Sequence, residues 1–255
     1  MKSFTADFET ATWVKDETWV WAWATCEIET EEIKIGNDID SFIEFCKKEK
    51  NSTFLFHNLK FDGEFIIYWA LTHGFKHVEK KEDITDMTFT TLISDLGQFY
   101  SICLYFKKDK NKHVHKVTFL DSLKVINLSV DTIAKTYGLE ISKLKIDYNA
   151  PRKKGHILTK DEENYIKNDV LIVAKALKVL YKNDLKKMTA ASNALNDYKE
   201  IITRAKFTHF FPCLDKQVDA DIRQAYKRGI YLYESNLQGK NCRKRECTRC
   251  KFTLS

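Results

Sequence analysis

Two hydrophobic periods alternate along this chain, and the switches between them mark out its elements. Ser3 to Phe8 reads as a short strand, and Thr18 to Ile28 alternates large apolar and smaller residues in the period of two that a strand requires. Glu32 to Gly36 can pair with it as a hairpin. Asp40 opens a helical pattern through Phe42, Ile43, Phe45 and Cys46. Thr53 to His57 is a short apolar strand, and Asp62 to His73 is helical, with Phe65, Ile66 and Trp69 at core spacing and Gly74 as its stop. Strands are predicted at Thr88–Ser94, Phe99–Phe106 and His113–Asp121, the last two joined by a polar turn over 107–112. Ser129 to Tyr137 predicts a helix ending at Gly138. Thr159-Lys160-Asp161-Glu162 has capping-box spacing, and the helix it starts runs to about Lys182 behind a stripe of Tyr165, Ile166, Val170 and Val173. Further helices are expected over Thr189–Arg204 and Asp215–Lys227. There is no internal repeat. Strands first, then helices interleaved with strands, predict a mixed α/β domain over 1–185, a helical extension over 186–227 and a separate tail over 228–255.

Composition narrows the class. At 255 residues and 44% hydrophobic, with two prolines and eight glycines, the chain can bury a sizeable core. No stretch approaches the roughly 20 apolar residues of a membrane span, and Met1-Lys2-Ser3-Phe4 lacks the apolar core of a signal peptide. A soluble protein of the cytoplasm, with no membrane partner, is the expectation. Of the net charge of +6, the segment Gly239–Ser255 carries +5 through six basic residues against Glu246, which leaves +1 for the rest. A basic patch therefore cannot carry a functional reading of the main body. Seven cysteines without a signal peptide argue for free thiols, with Cys26, Cys46 and Cys103 in apolar patterns as core thiols.

Chemistry concentrates in three acidic segments. Asp7 and Glu9 lie two apart at the end of a strand, so both project from one face while Phe8 turns into the core. Two acids on one face repel, and a divalent cation would resolve this, although a strand-edge Asp-x-Glu also occurs as a plain solvated face. Asp62 follows His57-Asn58-Leu59-Lys60-Phe61 near a helix start, where an acid can also serve only as a cap. Asn58 and Phe61 bring an amide and an aromatic face, suited to a single-stranded terminus. Tyr165 and Asp169 share one helix face at i, i+4; that pair suits positioning of a metal-bound water, or simply a hydrogen bond between neighbours. Together, carboxylates from one strand, one loop-to-helix junction and one later helix can converge on two hard cations of the kind that clamp both oxygens in phosphodiester hydrolysis.

Asp7-Phe8-Glu9, Asn58-Leu59-Lys60-Phe61-Asp62 and Tyr165-Ile166-Lys167-Asn168-Asp169 resemble, in order and spacing, the three exonuclease motifs of proofreading DNA polymerases. More narrowly, the stretch His57–Gly63, the segment Asp121-Ser122-Leu123-Lys124 and the Tyr165–Asp169 motif look like the protein-primed family B polymerases of bacteriophages and linear plasmids. The resemblance runs from the start of the chain to about Tyr226. It implies a ribonuclease H-like exonuclease domain, a mixed sheet flanked by helices, with a C-terminal helical extension. It implies that Asp7, Glu9, Asp62 and Asp169 ligate two Mg²⁺ or Mn²⁺ ions, that Tyr165 orients the attacking water, and that Lys143 is an auxiliary catalytic lysine. Thr10, His57, Asn58, Phe61, Phe65, Ser122, Leu123 and Tyr148 match positions that contact the single-stranded 3′ end. The implied activity is metal-dependent 3′→5′ exonucleolysis releasing nucleoside 5′-monophosphates, with a priming terminal protein as a partner of the intact polymerase.

The chain departs from the family pattern in three places. Polymerases of this family continue through palm, fingers and thumb, so polymerisation is not expected of this chain. Tyr226-Lys227-Arg228-Gly229 puts an arginine where the family has the first glycine of Tyr-x-Gly-Gly. In the tail, Cys242, Cys247 and Cys250 with Cys213 or His209 offer a zinc site, but the favoured reading is a frameshift: moved by one base, Arg249–Ser255 is compatible with the first palm metal motif, Asp-x-x-Ser-Leu-Tyr-Pro. Two other functions stay open, a single-strand-binding remnant that turns over poorly and a standalone nuclease of related fold, one acting on RNA for instance.

Overall fold

The computed structural model describes residues 2–11, 17–106 and 115–225. The chain divides into two compact units, Met1–Tyr198 and Lys199–Ser255. The first unit is built on a mixed sheet of eight strands among the described residues, in the order β3-β2-β1-β4-β8-β7-β6-β5. The strands are β1 (Ser3–Thr10), β2 (Val20–Glu27), β3 (Ile33–Gly36), β4 (Thr53–Phe56), β5 (Lys76–His77), β6 (Thr88–Ile93), β7 (Phe99–Tyr105) and β8 (Lys116–Asp121). β4 runs parallel to both β1 and β8, whereas the β1–β2, β2–β3, β6–β7 and β7–β8 pairs are antiparallel. The mixed sheet flanked by helices matches the implied fold.

Helices cover both faces. On one face lie α1 (Ile39–Lys48) and α2 (Leu59–Thr72), closing a core of Phe4, Phe8, Phe42, Phe54, Phe56, Ile66 and Phe119. Phe42 is wholly buried, with ring centroids 4.7 Å from Phe8 and 5.6 Å from Trp23. The other face is covered by α3 (Val130–Thr136) and the long α4 (Lys160–Lys182), over Trp21, Leu55, Tyr165, Ile166, Val170 and Val173. The period of two in β1 divides its residues between the two cores. Phe4, Ala6 and Phe8 enter the first, and the intervening Thr5, Asp7 and Glu9 face the α4 side. Thr5 Oγ1 donates to the carbonyl of Val170 at 2.8 Å, which locks the strand against the helix beside Asp169.

Several boundaries differ from the sequence reading for local reasons. α1 is capped by Asp38, whose side chain accepts from the Ser41 N–H at 2.7 Å, so Asp40 lies inside the first turn. α2 begins at Leu59 behind Asn58 in a left-handed conformation (φ 89°), so Asp62 sits within the helix rather than at its cap. The capping box of Thr159 and Glu162 is formed as the spacing predicts. The helix expected over Thr189–Arg204 is α5 (Ala190–Ile202); Thr203 at φ 70° ends that run and caps a further helix, α6 (Arg204–Phe210), that the sequence reading did not predict. α7 (Lys216–Ala225) is the helix expected over Asp215–Lys227, whose last two residues lie outside the described residues. The strand expected from His113 is described from Lys116, and the turn over 107–112 lies outside the described residues. Cys26, Cys46 and Cys103 are buried free thiols. Among the described residues, no helix is long and apolar enough to cross a membrane.

Candidate active site

β1 outruns its neighbour. Its parallel pairing with β4 ends at Ala6 and Phe56, so from Asp7 onward that edge is open. Asp62, in the first turn of α2, is buried close to Asp7, which with burial pushes its carboxyl upward. On the other face, α4 presents Tyr165 and Asp169 toward Asp7 and Glu9. A cleft of about 210 Å³ results, lined by Asp7, Phe8, Glu9, Thr10, Phe61, Lys143, Tyr148, Tyr165 and Asp169.

The electrostatics follow from crowding acids where water is scarce. Burial, then Asp169, push Asp7 up to about 7, and burial with Asp7 and Asp169 push Glu9 up to about 9. Asp62 is raised well above the usual carboxylate range by burial and Asp7, and Asp169 is raised by burial against the opposing pull of Lys143. The Lys143 ammonium lies 3.0 Å from Asp169 Oδ2 and 6.0 Å from the centroid of the Tyr165 ring. Tyr165, 2% exposed, exchanges a hydrogen bond of 2.6 Å with the Tyr148 hydroxyl. Burial first, then Glu9 and that hydrogen bond, hold its phenol protonated throughout the physiological range.

The remaining residues singled out in the sequence spread outward from the cleft. His57 lines an adjoining cavity of about 100 Å³ together with Asp7, Lys143 and Asp169. Its ring bonds the Ser122 hydroxyl at 3.0 Å and the Leu128 carbonyl at 2.6 Å, and burial lowers its pKa. Ser122 is wholly buried and donates to the Phe56 carbonyl at 3.0 Å, so it meets the cavity only through His57. Phe61 is 51% exposed, and its ring lies 5.9 Å from that of Phe65, which opens onto a neighbouring groove with Glu64, Tyr68 and Lys154. Asn58 and Leu123 are joined by a residue whose role the sequence did not reveal. The buried Asp121 accepts from both backbone N–H groups, at 3.1 and 3.0 Å. Its only sequence signal is its place directly before Ser122.

Among the described residues no three acidic, histidine or cysteine side chains stand closely enough, as arranged, to hold a metal ion. Lys143 is the cation inside the cluster. The donor set nevertheless suits a hard divalent ion: Asp62 Oδ1 and Asp169 Oδ1 are buried oxygens without a hydrogen-bond partner, and all four carboxylates are held above their ordinary range, by burial first. Cys213 is an exposed free thiol, and Cys242, Cys247 and Cys250 lie outside the described residues.

The fold is that of a DNA polymerase's N-terminal region. The family of DNA polymerase type B, organellar and viral, matches residues 43–163 and 150–241, and the chain belongs to it. The chain is 42% identical over 230 residues to the DNA polymerase of Bacillus phage B103, covering 90% of this chain and 39% of that protein. It is 30% identical over 233 residues to the DNA polymerase of Streptococcus phage Cp-1, covering 85% of this chain and 37% of that one. Among solved structures, phi29 DNA polymerase complexed with single-stranded DNA superposes with a TM-score of 0.80 at 39% identity, over 90% of this chain and 40% of that one. The chain thus spans about two fifths of the length of the relatives it matches.

Proposed function

We propose that this chain is a 3′→5′ exonuclease acting on the single-stranded 3′ end of DNA and releasing nucleoside 5′-monophosphates. The observation that carries the reading is the meeting of Asp7, Glu9 and Asp169 with Lys143, Tyr148 and Tyr165 in one cleft, with the buried Asp62 close enough to Asp7 for its carboxyl to be raised by it. The single-stranded DNA bound by the similar phi29 polymerase supports the choice of substrate.

In this reading Asp7, Glu9, Asp62 and Asp169 would hold two Mg²⁺ or Mn²⁺ ions. Bound ions would supply Lewis-acid stabilisation of the scissile phosphate and lower the pKa of water. The chain's own groups do the rest. Lys143, released from Asp169, neutralises charge developing on the phosphate oxygens. Tyr165 stays protonated and can donate its hydroxyl hydrogen or orient a water, held in place by Tyr148. The exposed face of Phe61 offers a terminal base a stacking surface, worth about 1–3 kcal/mol per base. Thr10, His57, Asn58, Phe65, Ser122 and Leu123 surround the path of the strand or brace the residues that do. In the longer relatives this activity would proofread, and a priming terminal protein would be a partner of the whole polymerase.

A 5′-labelled oligonucleotide incubated with Mg²⁺ or Mn²⁺ tests the proposal. The expected result is a metal-dependent ladder that the Asp7→Ala, Glu9→Ala double variant abolishes. Equal cutting by the double variant contradicts it, and a gel shift without cutting by the wild-type chain favours a binding remnant instead.

A further inference from the structure

Two residues that face the cleft, Lys143 and Tyr148, come from a stretch, 139–159, that forms neither helix nor strand. Something other than a hydrogen-bonded ladder has to fix it. Behind the cleft, Arg152 is 5% exposed and Glu162 is 8% exposed, both depths at which a charged side chain is rare unless paired. Arg152 Nε donates to Glu162 Oε1 at 2.5 Å, and its guanidinium lies 4.4 Å from the ring centroid of the buried Trp21 on β2. A second nitrogen of the same group donates to the carbonyls of Asp147 at 2.7 Å and Ala150 at 3.2 Å. These two carbonyls bracket Tyr148.

Glu162 completes the joint from the first turn of α4. Its other oxygen accepts from His156 Nε2 at 2.8 Å and from the Thr159 N–H at 2.9 Å. His156 in turn is held by an Asn37 side-chain bond to its carbonyl at 3.1 Å, and the Arg152 carbonyl accepts from the Trp19 indole at 3.1 Å. Burial draws the Glu162 carboxyl upward, but Arg152, the Thr159 N–H and His156 outweigh it and hold the group down at about 2, so the carboxylate keeps its charge until the pH falls to about that value. A buried ion pair adds little net stability over apolar residues of the same volume, because desolvation offsets its attraction. What it does supply is direction: three elements, β2, α4 and the turn at 147–150, are aimed at one another by a planar group with fixed donors.

We propose that Arg152, held by Glu162, is a positioning residue that sets the Tyr148 hydroxyl against Tyr165 and thereby the water-handling end of the cleft. The inference rests on the nuclease reading for its kinetic consequence but not for its structural one. Arg152→Lys keeps the charge at Trp21 and one bond to Glu162 while losing the second nitrogen that ties the turn. The expected result is a fall in kcat for single-stranded DNA of about ten- to a hundredfold, the upper end being the cost of a misplacement of about 1 Å, with a melting temperature close to wild type. Tyr148→Phe should lose a similar factor, and the double variant should be no slower than the worse single one, since both act through one contact. Losses that multiply, or an Arg152→Lys enzyme that cuts at the wild-type rate, overturn the proposal. Should Arg152→Lys fold poorly, Glu162→Gln serves as the second variant, assayed well below its own lowered melting temperature, with the same non-additivity expected. If the wild-type chain proves not to be a nuclease, the structural half is still decided by trypsin: cleavage after Lys143 or Lys145 should be several-fold faster in Arg152→Lys than in wild type, and equal rates overturn it.

Discussion

Without a divalent cation, Asp7→Asn should make the protein more stable at neutral pH, although it would disable the proposed activity. Asp7 is raised from the ordinary 3.8 to about 7, chiefly by burial and then by Asp169. Titration near 7 in place of 3.8 opposes the charged form by an amount on the order of 4 kcal/mol. The group lines the cleft and keeps some exposure, and its titration is linked to those of its neighbours. About half of that figure, roughly 2 kcal/mol, is therefore the expected gain when the charge is removed but the shape is kept. For a domain of this size that is about 4–8 °C in Tm. The sign in pH follows from proton uptake. Between about pH 4 and 7 folded Asp7 holds the proton that the unfolded chain has released, so its contribution to stability falls as pH rises through that window and is flat above it, while Glu9, raised to about 9, continues the fall at higher pH. Asp7→Asn should flatten that fall. The assay is thermal unfolding of both proteins in a chelator from pH 4 to 8, repeated at pH 8 with added Mn²⁺. Added cation should raise the Tm of the wild type and do much less for the variant. An Asn variant less stable than wild type at pH 8 in chelator, or an unchanged pH slope, refutes the account of the crowded acids.

Phe42→Ala removes a wholly buried ring at the centre of the aromatic core and should cost about 3–5 kcal/mol, read as a lowered denaturation midpoint; a shift under 1 kcal/mol would mean the core repacks. Glu162, held at about 2, contributes stability that is complete above its unfolded value near 4.5 and is lost as pH falls toward 2. Glu162→Gln should therefore be less stable than wild type at pH 7 and converge with it in acid, and a gap that persists at pH 2 contradicts this.

The sequence was most informative where one physical rule dominates. Alternation along β1 sends Phe8 inward and Asp7 and Glu9 to the other face, and the capping box fixed the start of α4 and, with it, the shared face of Tyr165 and Asp169. It was least informative where backbone conformation or long-range pairing decides. Asn58 caps α2 through a left-handed φ that its side chain permits but does not demand, which is why Asp62 lies inside the helix. β5 is two polar residues long and carries no periodic signal. Glu162 was legible as a cap and not as half of an ion pair, because Arg152 lies in a stretch without period and its three partners arrive from different elements. Ser122 matched a substrate-contacting position, yet its hydroxyl is turned inward to Phe56 and His57.

The most direct test of the central claim is anomalous diffraction at the manganese edge from crystals of the chain grown or soaked with Mn²⁺. The account predicts manganese bound to carboxylate oxygens of Asp7, Glu9, Asp62 and Asp169, with the Lys143 ammonium moved away from Asp169. Manganese bound elsewhere on the chain, with those four carboxylates left protonated or paired as before, would contradict it.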